Sequence, residues 1–283
     1  MSKKSATTTG TLYIVATPIG NREDITLRAL NVLKTVDIIL AEDTRHSLPL
    51  LRTLGVQKPV ISFHAHNETK KTALVIEALT SGKSYALISD AGTPLICDPG
   101  YGLVKKARAE GIPVVPIPGP CAFTTALSAA GIPCDSFLFL GFLPAKATIR
   151  NQALQSVKGS PHTVIFYESP HRLMDCLDAI AELFDPCYVF VIAKELTKAF
   201  ERFITGTVKE IQSWLLEDKT HRQGEFVFLL PPQAPEVIPT HEEEILTVLL
   251  AELPTKQAVK LTATLTKKNK NDLYQLALDL GAG

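Results

Sequence analysis

Residues 11–33 read TLYIVATPIGNREDITLRALNVL. The apolar run TLYIVAT (11–17) is a buried strand by its length and β-branched content, and Pro18-Ile19-Gly20 breaks it as a loop. Asn21 is a good N-cap with Asp24 three residues on, which predicts a helix from about residue 21. Ile25, Ala29, Val32 and Leu33 fall at i, i+4, i+7 and i+8, one apolar stripe. The alternation recurs in VDIILA (36–41), PVISF (59–63), a helix near 67–81, YALIS (85–89), a helix near 101–110, PVVPI (113–117) and a helix from about Cys121. Strands alternating with helices predict a mainly parallel sheet with crossovers.

The second half changes texture. FLFLGFL (137–143), HTVIFY (162–167), YVFVIA (188–193), FERFITGT (200–207) and EFVFLL (225–230) read as strands, with helices near 148–157, 171–184 and 208–217. The short interval between 193 and 200 permits a hairpin, so this sheet is expected to be mixed. PPQAPEVIPT (231–240) is a Pro-rich linker, and three amphipathic stretches (242–253, 255–265, 270–280) follow. The predicted organisation is an α/β protein: a disordered tail over 1–10, α/β domains over 11–120 and 121–232, and a linker with a small helical unit over 233–283.

Twenty-nine Lys+Arg balance 29 Asp+Glu, so bulk charge gives no grip on a polyanion and any nucleic-acid contact must come from local patches. Such patches exist. No acidic residue occurs from Ser136 to Tyr167, where Lys146, Arg150 and Lys158 give +3; Lys256, Lys260, Lys267, Lys268 and Lys270 stand against Asp272 between Leu253 and Tyr274. Five cysteines with no CxxC pair indicate neither a disulfide framework nor a zinc site. No metal, no membrane span and a cytoplasmic, untargeted protein are the expectations, since 1–10 lacks an apolar core.

Polar clusters stand just after strands: TPIGNRED (17–24), AEDTRH (41–46), HAHNE (64–68), SDAGTP (89–94) and PGPC (118–121). In an open α/β sheet that is the carboxyl edge, where ligands bind. There is no GxGxxG after Ala16 and no Walker A, which argues against dinucleotide and P-loop phosphate sites. DAGTPLICDPG (90–100) instead offers tight turns that let backbone approach a ligand closely.

These residues carry a resemblance. LYIVATPIGN, AEDTR, SDAGTPLICDPG, PIPGPCA, GFLP, FYESPHRL and AKELTK, in this order over about 11–232, resemble the tetrapyrrole methylase family, most closely its members acting on ribosomal RNA. The resemblance implies two α/β domains with S-adenosylmethionine in the cleft between them, 2′-O-methylation of a cytidine ribose in small-subunit rRNA within an assembled or nearly assembled subunit, and a homodimer. It implies cofactor contacts from Pro18, Gly20, Asp90, Ala91, Gly92, Thr93, Ile96, Cys121, Ala122, Phe166, Tyr167, Ala193, Glu225 and Phe226. Cys121 stands where the family usually has serine.

For the hydroxyl proton the candidate acceptors are Asp98 and Glu42, with Arg45 and Lys194 assigned to positioning and electrostatics. Arg22, His64, Lys146, Arg150, Arg172, Lys267, Lys268 and Lys270 are the candidate RNA contacts. Plainer readings stand beside these: an ion-paired helix start for Glu42, Asp43 and Arg45, a helix cap for Glu168 and Arg172, and a solvated face for the C-terminal lysines. Alternative functions are methylation of a tetrapyrrole or other small molecule, a non-catalytic ribosome-assembly RNA-binding factor, or an α/β hydrolase using Asp90 and Asp98 with Mg²⁺.

Overall fold

The computed structural model describes residues 9–233 and 241–281. Residues 1–8, most of the expected tail, and 234–240, most of the expected linker, lie outside the described residues. The chain divides into two compact units, one up to Pro232 and one from Gln233.

The first sheet is built from β1 (Leu12–Val15), β2 (Ile38–Ala41), β3 (Val60–Ser62), β4 (Tyr85–Ile88) and β5 (Val114–Ile117), all parallel, in the order β3-β2-β4-β1-β5. Both faces are covered. α1 (Leu27–Thr35) and α2 (Thr44–Thr53) pack on one side through Ala29, Leu33 and Leu51. α3 (Glu68–Thr80) and α4 (Tyr101–Ala109) pack on the other through Val75, Ile76, Leu79, Leu103 and Ala107. Covering on both faces explains the unbroken apolar runs of its central strands. The crossover after β1 leads to β2 on one side and that after β4 leads to β5 on the other, so the loops leaving these adjacent strands diverge and open a crevice between them.

The helix predicted from Asn21 begins later. The Asn21 side chain accepts a hydrogen bond from the Glu23 amide at 3.0 Å, but what it caps is a 3₁₀ turn, Arg22–Asp24. Ile25 is extended and packs toward the core, and Thr26 starts α1 by accepting from the Ala29 amide at 3.1 Å. α2, which the alternation of strands and helices did not resolve beyond its start, runs through Pro49.

The second sheet comprises β6 (Phe137–Phe142), β7 (Thr163–Glu168), β8 (Phe190–Lys194), β9 (Arg202–Gly206) and β10 (Phe226–Leu230), ordered β6-β7-β10-β8-β9. β6 runs parallel to β7; the remaining pairs, including the β8–β9 hairpin, are antiparallel. α6 (Ala147–Gln155), α7 (Leu173–Leu183) and α8 (Val208–Glu217) bury one face, around Phe166, Ile192 and Phe228. α5 (Ala122–Ala129) lies on the other, around Ile165, Ala193 and Val227, together with Ile19 from the loop after β1 and Leu196 from the β8–β9 loop.

The C-terminal unit is three helices, α9 (His241–Glu252), α10 (Thr255–Thr266) and α11 (Lys270–Asp279), closed on Leu246, Ala258, Val259, Ala263, Leu273 and Ala277.

Glu68 shows how the first sheet's loops are fixed. α4 starts at Gly100, which has no side chain to cap with, and the Glu68 carboxylate at the head of α3 accepts instead from the amides of Gly102 (2.8 Å) and Leu103 (3.3 Å). An anion on a helix N-terminus is stabilising. Glu68→Ala is expected to cost about 1–2 kcal/mol, measured as a lower urea midpoint with an unchanged slope, and Glu68→Gln to restore part of it.

Candidate functional site

A cavity of about 420 Å³ opens at the carboxyl edge of the first sheet and is walled by both sheets. From the first come Ile19, Glu42, Asp90, Ala91, Gly92, Thr93, Ile96, Cys97 and Asp98; Cys121 and Ala122 lie at the start of α5; Phe142, Tyr167, Glu225, Phe226 and Val227 come from the second sheet. Its size falls within the roughly 300–1,000 Å³ of small-molecule and cofactor sites.

The loop 89–98 is rigidly held. Thr17 and Gly92 exchange two backbone hydrogen bonds at 2.9 and 3.0 Å, the Thr17 hydroxyl donates to the Ser89 carbonyl, and the Ser89 hydroxyl donates to the Gly92 carbonyl. Thr93 donates to the Pro120 carbonyl at 2.9 Å, which ties this loop to the start of α5. Gly92 sits at φ +83°, and a Cβ there would lie 3.3 Å from Ile19 Cγ2. Leu95 and Cys97 also take positive φ, 73° and 68°. For side-chain-bearing residues that costs about 1–3 kcal/mol each and clusters at functional sites.

The electrostatics are dominated by carboxylates. Burial, reinforced by the negative charge of Glu42 and then Asp90, pushes Asp98 up to about 7 against an opposing hydrogen bond from Ser89. Burial also raises Glu42, with Asp90 adding to it and His64 opposing. Asp90 Oδ1 accepts the Asp43 amide at 3.1 Å. On the far wall the Tyr167 hydroxyl accepts the Phe123 amide at 3.1 Å, and its ring packs edge-on against Phe139 and Phe142. Burial raises the Tyr167 hydroxyl, so it stays protonated at neutral pH.

Ten of the cofactor candidates line this cavity: Asp90, Ala91, Gly92, Thr93, Ile96, Cys121, Ala122, Tyr167, Glu225 and Phe226, as do Glu42 and Asp98. Pro18 and Gly20 line a neighbouring cavity instead, together with Arg22 and Arg45. Gly20 is packed against the β8–β9 loop, where a Cβ would meet Lys198 Cγ at 2.5 Å and Leu196 O at 2.9 Å.

Phe166 and Lys194 are corrections. Side chains alternate along a strand, so Tyr167 and Ala193 face the first domain while Phe166 and Lys194 point to the opposite side. There Phe166 is fully buried against Phe228, and Lys194, 6% exposed, lies on the face near Asp218 and lines neither cavity. Ala193 is buried on the cleft-side face without reaching the cavity wall.

Arg150 and Arg172 are corrected likewise. Arg150 shares the buried stripe of α6 with Leu154, one turn on, and is 5% exposed. The Arg172 guanidinium donates to Glu168 Oε1 and the Leu143 carbonyl, both at 2.8 Å, clamping the loop after β6 rather than facing solvent. His64 is half-buried with its ring against the Asn67 side-chain amide at 2.9 Å. Arg22, Lys146, Lys267, Lys268 and Lys270 are exposed, the last three around the turn between α10 and α11.

Sequence reasoning missed Ile19, Cys97, Phe142, Ser169, Pro170 and Val227 in the first cavity and His46, Pro49, Leu50 and Lys198 in the second. The GFLP and AKELTK motifs contained two of them.

A methylated sulfonium cofactor fits the first cavity. The carboxylates complement its cationic centre, Ile19, Ile96, Ala122, Phe142, Tyr167 and Val227 supply apolar surface for a purine, and Gly92 leaves the backbone open to close approach. Among the described residues no group of three or more His, Cys, Asp or Glu is arranged for a metal ion, and no helix is long and apolar enough to cross a membrane.

Two α/β layers joined around such a cavity define a class of methyltransferase, and the comparisons agree. The model of the Tetrapyrrole (Corrin/Porphyrin) Methylases matches residues 11–212, and the chain belongs to that family. A second model, the RsmI C-terminal HTH domain, matches residues 236–281. The chain is 48% identical over 273 residues to the ribosomal RNA small subunit methyltransferase I of Pseudomonas aeruginosa, covering 95% of this chain and 97% of that one. It is also 48% identical over 272 residues to that of Escherichia coli O157:H7, covering 95% of each. Among solved structures, uroporphyrin-III-C-methyltransferase from Thermus thermophilus superposes with a TM-score of 0.54 at 21% identity, over 78% of this chain and 94% of that one. At these identities the structural likeness speaks for the fold.

Proposed function

We infer that the chain transfers the methyl group of S-adenosylmethionine to the 2′-hydroxyl of a cytidine ribose in small-subunit rRNA, in the cytoplasm. The observation that carries this reading is a carboxylate of near-neutral pKa, Asp98, in a cavity able to hold the sulfonium, in a chain 48% identical along nearly its whole length to small-subunit rRNA methyltransferases. The cofactor supplies an electrophilic methyl group. The protein's contribution is alignment and dehydration: holding two reactants in line supplies up to roughly 7–11 kcal/mol. Asp98 accepts the hydroxyl proton on Oδ in this reading, held half-ionised near neutrality by burial and then by the charge of Glu42. The Tyr167 hydroxyl, the Cys121 side chain and the backbone of 90–93 orient the bound cofactor.

The C-terminal helices favour RNA over a tetrapyrrole. Lys267, Lys268 and Lys270 stand exposed at the α10–α11 turn, and Lys268 Nζ is also 3.3 Å from Glu242. Replacing all three by glutamine is expected to weaken binding to assembled small subunits and lower the dependence of log affinity on log salt by about two; an unchanged slope assigns them to a solvated face. The exposed Phe137 and Leu138 on the edge strand β6 support a homodimer, expected as twice the chain mass in sedimentation equilibrium. Mass mapping of ribose methylation on small-subunit rRNA from a deletion strain and its complement tests the whole reading: a cytidine methyl group is expected to vanish and return.

A further inference from the structure

Beside the first cavity lies a second of about 400 Å³, lined by Pro18, Gly20, Pro49 and Leu50 and by the cationic or donor side chains of Arg22, Arg45, His46 and Lys198. The two share a wall, Ile19, Asp90, Ala91 and Glu225, so whatever fills the second lies directly beside the first. We propose that this second cavity receives the phosphodiester group adjoining the ribose to be methylated. The inference rests on the RNA-methylating reading above and names the part of the substrate that this face recognises.

The donors converge from three separate elements: Arg22 on the 3₁₀ turn after β1, Arg45 and His46 on the first turn of α2, and Lys198 on the β8–β9 loop. Their commitments differ in a way that fits an anionic ligand. Arg45 donates Nε and Nη2 to the Asp43 carboxylate, at 3.1 and 2.7 Å, so its side chain is oriented while Nη1 keeps its hydrogens for a ligand. Arg22 and His46 engage no hydrogen bond or ion pair through their side chains among the described residues, and both are exposed. Lys198 spans Glu195 at 2.8 Å and Glu225 at 2.9 Å and so holds the wall closed. The two carboxylates facing the cavity are already engaged: Asp90 Oδ1 accepts the Asp43 amide and Glu225 Oε2 accepts from Lys198. Uncommitted donor capacity is therefore cationic, the condition for holding a phosphate.

The connectivity of RNA supplies the spacing. A 2′-oxygen is separated from the phosphorus on its own 3′-oxygen by only two ring carbons and that oxygen. A nucleotide placing its 2′-oxygen beside Asp98 therefore carries a phosphate within a few ångströms of that oxygen, and the adjoining cavity across the shared wall offers it cationic donors. Carboxylates at the reacting hydroxyl and cations at the phosphate would also orient the strand, since the reverse placement sets phosphate against Glu42 and Asp98, which line the first cavity and not the second.

An anionic oxygen ligand here has two sources, the RNA phosphate and the cofactor's own carboxylate, and the test separates them. Full-length enzyme, Arg22→Gln/Arg45→Gln, and the charge-preserving Arg22→Lys/Arg45→Lys are compared in cosedimentation with small subunits from a strain lacking the endogenous enzyme, over a salt series, and in calorimetric titration with S-adenosylhomocysteine. For the glutamine variant the expected result is about tenfold weaker subunit binding and a salt slope reduced by about 1.5 to 2. The lysine variant should recover most of both, and S-adenosylhomocysteine affinity should stay unchanged. A loss of S-adenosylhomocysteine affinity with subunit binding intact would give the cavity to the cofactor's carboxylate and overturn the proposal; wild-type behaviour in both assays overturns it as well. A glutamine variant that melts early is set aside for the lysine pair against Arg22→Gln alone, where a slope reduced by about one is required. Wild-type enzyme that fails to methylate these subunits overturns the functional reading itself, a result distinct from the other outcomes.

Discussion

Asp98→Asn is expected to lower the single-turnover rate of methyl transfer by roughly 10²-fold or more under saturating cofactor and RNA, with both affinities close to wild type. Asparagine keeps the shape of the side chain but cannot take a proton. The pH dependence sharpens the test. Asp98 is pushed up to about 7, by burial first and by Glu42 next, so in the free enzyme it is protonated below that pH and unable to accept. The value of kcat/KM for the cofactor, which reports the free enzyme, should therefore rise with pH and level off above about 7. Glu42→Gln removes a neighbouring negative charge, so the limb should move to lower pH while the plateau persists. A plateau unchanged in Asp98→Asn would leave proton loss to water as the account, and a limb unmoved by Glu42→Gln would mean that another group titrates.

Gly92→Val should abolish cofactor binding while the protein still melts cooperatively. The residue sits at φ +83°, where valine is strained, and its amide and carbonyl both bond to Thr17. A branched side chain there must meet Ile19 or force the loop away from β1. We expect at least about a hundredfold loss in S-adenosylhomocysteine affinity by calorimetry, roughly 2.7 kcal/mol. Gly92→Ala, with one carbon added at 3.3 Å from Ile19 Cγ2, should fall between. Undiminished affinity in the valine variant would remove this loop from the cofactor site.

Much of the architecture was legible because local patterns and global fold agree. Strands near 36–41, 85–89, 113–117 and 225–230 appear where the apolar runs put them, and the 193–200 interval is a hairpin loop. α8 begins at Val208 behind a full capping box, Thr207 with Glu210. The helix expected from Asn21 failed for a local reason of the same kind: Asn21 does cap, but Ile25 leaves the helical region to reach the core, and a second cap, Thr26, takes over.

What sequence determined by itself is the order of elements, the mixed character of the second sheet, and the set of loops gathered at the carboxyl edge of the first. These depend on periodicity, caps and turn residues, which act over a few positions. The tertiary structure decided which side chain of each motif faces the cavity. FYESPHR and AKELTK each carry neighbours on opposite faces of a strand, and only the packing of α5 against one face and α6–α8 against the other shows that Tyr167 faces the cavity while Phe166 and Lys194 turn away. Arg150 reads as a surface cation until α6 is docked, whereupon its place one turn before Leu154 buries it. Asp98 is pushed up to about 7 first by its burial in the cleft and then by Glu42, which the pairing of β2 with β4 brings near it across more than fifty residues of chain. Burial and the approach of like charges are properties of distance in space, which local sequence does not encode.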